Sequence, residues 1–366
     1  MIRFENLARR FEEVKKDYLH GFEIISKNDK VVNGQFVAEA EEQLKSLSGK
    51  KYAALMNSGS HAISIALLSH IEKGAEIIIP NYSCPPSLSS VVMAGYTPRF
   101  VEINKYGSID GHQIESHITP NTKAILATGL YGDTHDHDAV KRICDNNRLV
   151  YINDASQSQF ALHNGINSLS LGDVVCLSFA ENKPLSTLGT FGAVLTDSEE
   201  KYNTIRALRN NGKPSRMEKF AMAGYNSKAD EYKAVQLLAS IKHFDKWQAR
   251  RKDIAKEYDA AFGKAGIEVR PSPKYSDYNT HKYAIFVSNK FQMYEKLLEA
   301  GVETARHYVD NFSNLDWTPD TQEIFPVTEQ YIQQSLSIPL NAHMHDREVQ
   351  KVIESVVNNY VAPLQQ

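Results

Sequence analysis

The chain has 366 residues, with 41 basic and 44 acidic side chains and a formal charge of −3. That length suits two domains, and the balanced charge gives no sign of a nucleic-acid or polyanion partner. The longest apolar run falls far short of the ~20 residues of a membrane span, and residues 1–5 lack the apolar stretch of a signal peptide. Cys84, Cys144 and Cys176 are odd in number and form no CxxC pair, so neither a disulfide framework nor a zinc site is indicated. A soluble protein of the reducing cytoplasm is the expectation.

Strands are predicted over 52–56, 76–80, 98–103, 123–128, 149–153, 174–179 and 192–196. Several are continuous Val/Ile/Leu runs, as in strands buried on both faces. Helical stretches at 61–69, 86–94 and 138–146 lie between them. This alternation argues for an α/β fold with a mostly parallel sheet, whose ligands sit beyond the carboxyl ends of the strands. Near residue 230 the pattern changes. A long charged helix is predicted over 231–262, with Val235, Leu238, Ile241 and Phe244 at helical spacing. Strands at 283–287 and 335–339, helices at 291–299 and 346–360, and loops at 277–280 and 311–322 follow. The expected division is a large domain over 1–243, including an N-terminal arm, and a smaller α+β domain over 244–366.

Three motifs fall at predicted strand ends. Asn57-Ser58-Gly59-Ser60-His61-Ala62 joins a strand to a helix. There glycine permits close backbone approach, and free N–H groups beside the Ser60 hydroxyl suit a phosphate. Alone, the motif reads equally as an ordinary turn with Ser60 as N-cap. Asp154 ends an apolar run, where a carboxylate can keep a ring nitrogen protonated or merely cap a turn. Lys183 follows the next strand, 29 residues later; a desolvated lysine there can attack a carbonyl, and a solvated one is a plain loop residue. Together, in this order, they are an anchor for a 5′-phosphate, a partner for a pyridine nitrogen and a Schiff-base lysine, the handles needed for pyridoxal 5′-phosphate (PLP).

At these residues the sequence resembles the DegT/DnrJ/StrS family of fold type I PLP enzymes, the sugar-nucleotide aminotransferases. The resemblance runs from about Gly34 to the C-terminus. It is carried by Asn57-Ser58-Gly59-Ser60, Asn153-Asp154-Ala155-Ser156-Gln157, Ser178-Phe179 with Lys183, Gly224-Tyr225-Asn226, Gly301-Val302-Glu303-Thr304 leading to His307-Tyr308, and Leu336-Ser337-Ile338-Pro339-Leu340. It implies an aspartate-aminotransferase-like large domain. It implies that Lys183 forms the internal aldimine and shuttles a proton, that Asp154 pairs with the pyridinium, and that Gln157 lies by the phenolic oxygen. Gly59, Ser60 and Ser178 would hold the phosphate, with His61 in the same stretch and Cys84 facing the ring. Asn226 would reach a neighbour's site, making a homodimer with shared sites. An amino acid, glutamate by analogy, would donate the amino group to a keto sugar linked to a nucleotide. Relatives that act as sugar dehydratases carry a His in place of the lysine, so Lys183 argues against that reaction. A non-catalytic PLP-binding protein is a further alternative.

The sequence departs from the family pattern in three places. Cys84 stands where an aromatic ring is common, Thr190-Phe191 interrupts a Gly-rich stretch, and Lys228 replaces an arginine. These changes suggest an unusual acceptor. His135-Asp136-His137-Asp138 looks like a metal tract, but its place before a helix makes Asp136 a cap and no metal is expected. Arg250-Arg251-Lys252 reads as a solvated helix face or a dimer salt bridge. Cys144 and Cys176 read as core residues. Tyr308 reads as a pocket border or a packing residue.

Overall fold

A computed structural model describes residues 1–214 and 219–363; the last three positions of the expected second domain lie outside them. Seven strands form one sheet. They are β1 (Tyr52–Met56), β2 (Glu76–Pro80), β3 (Thr97–Val101), β4 (Thr122–Thr128), β5 (Val150–Asp154), β6 (Val174–Ser178) and β7 (Gly192–Thr196). Their order is β1-β7-β6-β5-β4-β2-β3. From β6 to β3 all neighbours are parallel, and β7 runs antiparallel to both β6 and β1. The carboxyl ends of β1, β4, β5 and β6 therefore share one edge.

The continuous apolar runs are buried on both faces, as expected. Ile77, Ile79, Leu126, Ile152, Cys176 and Val194 join one core, and Leu55, Val175, Leu177 and Leu195 join another. Beside the latter, Ile78, Ile125, Ala127 and Tyr151 pack with Cys144. Helices α1 (Leu7–Asn28), α2 (Gln35–Ser48), α3 (Gly59–His70), α4 (Pro85–Met93), α5 (His137–Asn147) and α6 (Glu199–Arg209) accompany the sheet. Of these, α1, α2 and α6 are additions to the predicted set. Helix α3 is buried nearly all round, through Ala62, Ile63, Ile65, Ala66 and Leu67. Its N-cap is Ser58, whose side chain accepts from the His61 N–H. The Ser60 cap expected from sequence is thus displaced by two residues, because Ser58 holds the extended backbone a cap requires.

Helix α7 (Glu231–Ala265) starts at an Asp230 cap and stops at Gly266, where φ is 66°. It crosses position 243 without a break. Its first half places Ala234 and Leu237 in the sheet core, and its second half places Ile254, Tyr258 and Phe262 in a separate core. That second core holds β8 (Tyr283–Phe286), antiparallel to β9 (Ser335–Ile338), with residues of α8 (Lys290–Glu299) and α10 (Asp346–Asn359). Another helix, α9 (Pro326–Gln334), precedes β9. Ile2 also belongs to this core, so the N-terminal segment reaches the C-terminal half. No helix among the described residues is long and apolar enough to cross a membrane.

Candidate active site

Register brings the three motifs together. Ser178 and Met56 both pair with Gly192, which sets the start of α3 beside the end of β6. The approach depends on missing side chains. A Cβ on Gly59 would lie 2.5 Å from the Ser178 Cβ, and one on Gly192 would lie 2.5 Å from the Ser58 carbonyl. The first N–H groups of α3 have no intrahelical acceptor and carry the positive end of the helix dipole. With the Ser60 and Ser178 hydroxyls they form a cradle able to hold a phosphate.

Asp154 ends β5 and is buried. One carboxylate oxygen accepts from the Ser87 hydroxyl at 3.2 Å, and the other from the Ser156 N–H at 3.1 Å. Ser87 lies in the first turn of α4, whose N-cap is Cys84, so the thiol is carried to the same edge. Lys183 is 7% exposed, on the loop between β6 and β7. That loop is held from several sides. Arg10 donates to the Glu181 carbonyl at 2.9 Å and to the Ser186 hydroxyl at 2.5 Å, and Gln159 accepts from the Leu185 N–H at 2.7 Å. The backbone is therefore fixed, while the Lys183 Nζ makes no hydrogen bond among the described residues. In the departure stretch, Phe191 is fully buried and packs against Phe179, so it serves the core while Thr190 is exposed.

Gln157 is buried; its Oε1 accepts from the Tyr131 N–H at 3.2 Å and its Nε2 donates to the Tyr308 hydroxyl at 2.8 Å. Tyr308 thus borders the same space. Burial first, then the nearby Cys84 and Tyr131, push its hydroxyl well above the ordinary tyrosine range. The Tyr131 hydroxyl donates to the His307 carbonyl at 2.8 Å, and Tyr82 meets the same carbonyl.

Other expected residues sit at the rim. The His61 Nδ1–H donates to Asn57 Oδ1 (2.7 Å) and lies 3.1 Å from the Ser227 hydroxyl oxygen, and the ring lies 4.7 Å from the Tyr225 ring. Asn226, between Tyr225 and Ser227, is exposed and pairs through its backbone with Asn210. Asp136 caps α5 as expected, accepting from the Ala139 N–H at 3.0 Å. It also comes with Asp138 and His163 within 4.8 Å of one another, although Asp138 is exposed. Cys144 and Cys176 are buried; burial pushes the Cys144 thiol up to about 12 and the Cys176 thiol well above its usual range.

One reading is corrected outright. Arg251 is 6% exposed, not part of a solvated face, because positions 247, 251, 254, 255 and 258 form the inward stripe of α7. Motif reading also passed over Lys282, directly before β8. It is 3% exposed, and its Nζ donates to His307 Nε2 at 2.9 Å. A lysine opening an apolar strand was the one signal that marked it.

Residues 12–357 match the DegT/DnrJ/EryC1/StrS aminotransferase family. The chain is 28% identical over 361 residues to UDP-2-acetamido-2-deoxy-3-oxo-D-glucuronate aminotransferase of Pseudomonas aeruginosa, covering 98% of this chain and all of that one. Its structure resembles that of DesV of S. venezuelae, solved in complex with a ketimine intermediate, with a TM-score of 0.92, 27% identity and 98% of each chain covered. It also resembles NtdA of Bacillus subtilis with bound cofactor PMP, with a TM-score of 0.90, 27% identity, and 98% of this chain and 84% of that one covered.

Proposed function

The chain belongs to the DegT/DnrJ/EryC1/StrS aminotransferase family, and from that premise we propose that it carries PLP on Lys183 and moves an amino group from L-glutamate to a nucleotide-linked keto sugar. The observation that carries this reading is the buried Lys183 amine on a fixed loop, at the strand edge where Asp154 ends β5. When bound, PLP supplies an electron sink for the carbon that exchanges its amino group.

The chain's own residues supply the rest. The start of α3, with Gly59, Ser60 and Ser178, would hold the phosphate. Asp154, oriented by Ser87 and Ser156, would keep the ring nitrogen protonated. Gln157 would meet the ring hydroxyl, and Tyr308 would fix that amide. Cys84 would face the ring with a small apolar surface. Lys183 Nζ would take a proton from the substrate carbon and return it to the carbon on the other side of the exchanged nitrogen. His61, at the rim, would border the phosphate site through its place in the first turn of α3.

The reading includes a homodimer. Asn226 is exposed beside the Asn57, His61 and Ser227 cluster, where a second copy can reach or be reached. It also includes the cytoplasm, where the three free thiols stay reduced.

The test is visible absorbance of the protein with added PLP, for wild type beside Lys183→Ala. Wild type is expected to show a lysine-linked band that shifts with L-glutamate, and borohydride is expected to trap the cofactor on Lys183. A band that persists in Lys183→Ala overturns the assignment. A product that loses oxygen without gaining nitrogen overturns the reaction.

A further inference from the structure

Lys282 is a second buried amine near Lys183. It has one hydrogen-bond partner, the His307 ring, whose Nδ1 then donates to the Ser337 hydroxyl at 3.0 Å. An ammonium carries three N–H groups, so two are left. The groups around it come from four parts of the chain. Lys183 on the loop after β6, Cys84 at the start of α4 and Glu5 in the N-terminal segment are near enough to act on its charge. His281 precedes it, and His307 and the Tyr308 ring, 5.9 Å away, complete the shell.

Behind Glu5 stand Arg10 and Arg251, each buried and each with an Nε that has no partner. Among the described residues none of Lys282, Arg10 and Arg251 makes an ion pair with a carboxylate; their partners are the His307 ring, the Glu181 and Thr187 carbonyls with the Ser186 hydroxyl, and the Gln248 amide oxygen. Glu5 makes no hydrogen bond to these cations among the described residues. Burial, with Lys183 next, pushes the Lys282 amine down to about 7, and burial pushes the Glu5 carboxyl up to about 7. Buried cations without paired anions are costly.

We propose that Lys282 is a specificity residue that receives a carboxylate carried by a substrate away from the carbon that exchanges its amino group. The inference rests on Lys183 being the cofactor lysine. Such a carboxylate has two sources: an acidic sugar acceptor, or the side chain of the glutamate donor. The two unused N–H groups of Lys282 would bind it, with His307 fixing the amine and Arg251 and Arg10 adding positive charge behind it. A hydroxymethyl group in the same place would offer no charge and leave the amine unpaired.

Non-reacting probes separate the sources. Calorimetry measures binding of UDP-glucuronate, UDP-glucose and glutarate to the PLP-loaded protein, for wild type and Lys282→Met. An acceptor role predicts that the substitution weakens UDP-glucuronate by about 10- to 100-fold and leaves UDP-glucose within about twofold. A donor role predicts the same loss for glutarate alone. At about pH 8 the wild type is expected to take up protons as an acidic probe binds, and Lys282→Met none, since burial disfavours the charged amine and only the ammonium pairs with a carboxylate. Lys282→Gln repeats the measurement if the Met variant does not fold. Equal losses for UDP-glucuronate and UDP-glucose, no change for any probe, or no binding of either acid by wild type overturns the proposal. Absence of the lysine-linked absorbance in wild type overturns the cofactor assignment instead, and is read independently of the binding.

Discussion

The surroundings of Lys183 have two walls made in different ways. One is the edge of the sheet, where Asp154, Ser178 and Lys183 lie at or shortly after the ends of β5 and β6 and Gly59 opens α3. The other gathers Glu5, Arg10, Arg251, Lys282 and His307, spread from position 5 to position 307. The first wall works by the absence of bulk and by backbone N–H groups. The second works by charge, and its cations outnumber its carboxylates. A fold can set a cofactor cradle by local strand–turn–helix rules. A selective pocket needs long-range packing to bring like charges together against their repulsion.

Four experiments test this contrast, from the largest expected effect down. Asp154→Asn removes the charge of the first wall while keeping its shape. Steady-state kinetics are expected to show a loss of about 10²- to 10³-fold in kcat/KM, with PLP still bound. A loss under tenfold would deny that wall its electrostatic role.

Gly59→Ala places a methyl group against Ser178, and PLP affinity by absorbance titration is expected to fall about 10- to 100-fold. Adding Ser178→Gly gives back the room and is expected to recover part of the loss, less the contribution of the hydroxyl. If the single variant binds PLP as wild type does, close approach at Gly59 is irrelevant.

Acid should act more evenly across the molecule. Burial holds His307 and His281 of the second wall, and His137 at the start of α5, well below the usual histidine range, and His135 at about 3. The unfolded chain then binds more protons than the folded one below about pH 6.5. Stability is fully present above that value and is lost as pH falls from 6.5 toward 3. Melting temperature measured from pH 8 to pH 5 should fall steadily in the acid half. His307→Gln should lower the slope by about 1.4 kcal/mol per pH unit at most. An unchanged slope would mean that His307 does not stay neutral in the fold.

The smallest effect serves as the control. Lys141 and Asp145 form an exposed pair one turn apart on α5, away from both walls. Lys141→Ala is expected to cost about 0.2–0.5 kcal/mol in denaturant unfolding and to leave kinetics unchanged. A larger effect would mean that surface charge, and not the burial of charge, sets the scale for this protein.

Much of the first wall was legible beforehand. The strands at 52–56, 76–80 and 192–196 have the predicted limits, and the others agree within two residues. Each strand carries its own apolar run, and register then places Asp154 and Ser178 on one edge without further instruction. Helices α1 and α2 left a weaker trace. The N-terminal N–H groups of α2 find their acceptor far away in sequence: Glu231 accepts from the Gly34 and Val37 N–H groups at 2.8 and 2.9 Å. Arg251 shows the same limit. Its charge suggested solvent, and only the stripe of α7 packed beneath the N-terminal segment turns it inward.

The amino-acid sequence by itself determined the strands of the sheet, three of the helices between them, and the three strand-end motifs. It could do so because hydrophobic period, glycine and capping residues act over a few neighbours. Only the tertiary structure decided that Lys282 packs on His307, and that Glu5 of the N-terminal segment comes near Arg10, Arg251 and Lys282. Those meetings are set by which cores bury Ile2, Ile254 and Ile285 together. No local pattern records a contact between residues hundreds of positions apart; burial of the apolar surface around them brings it about.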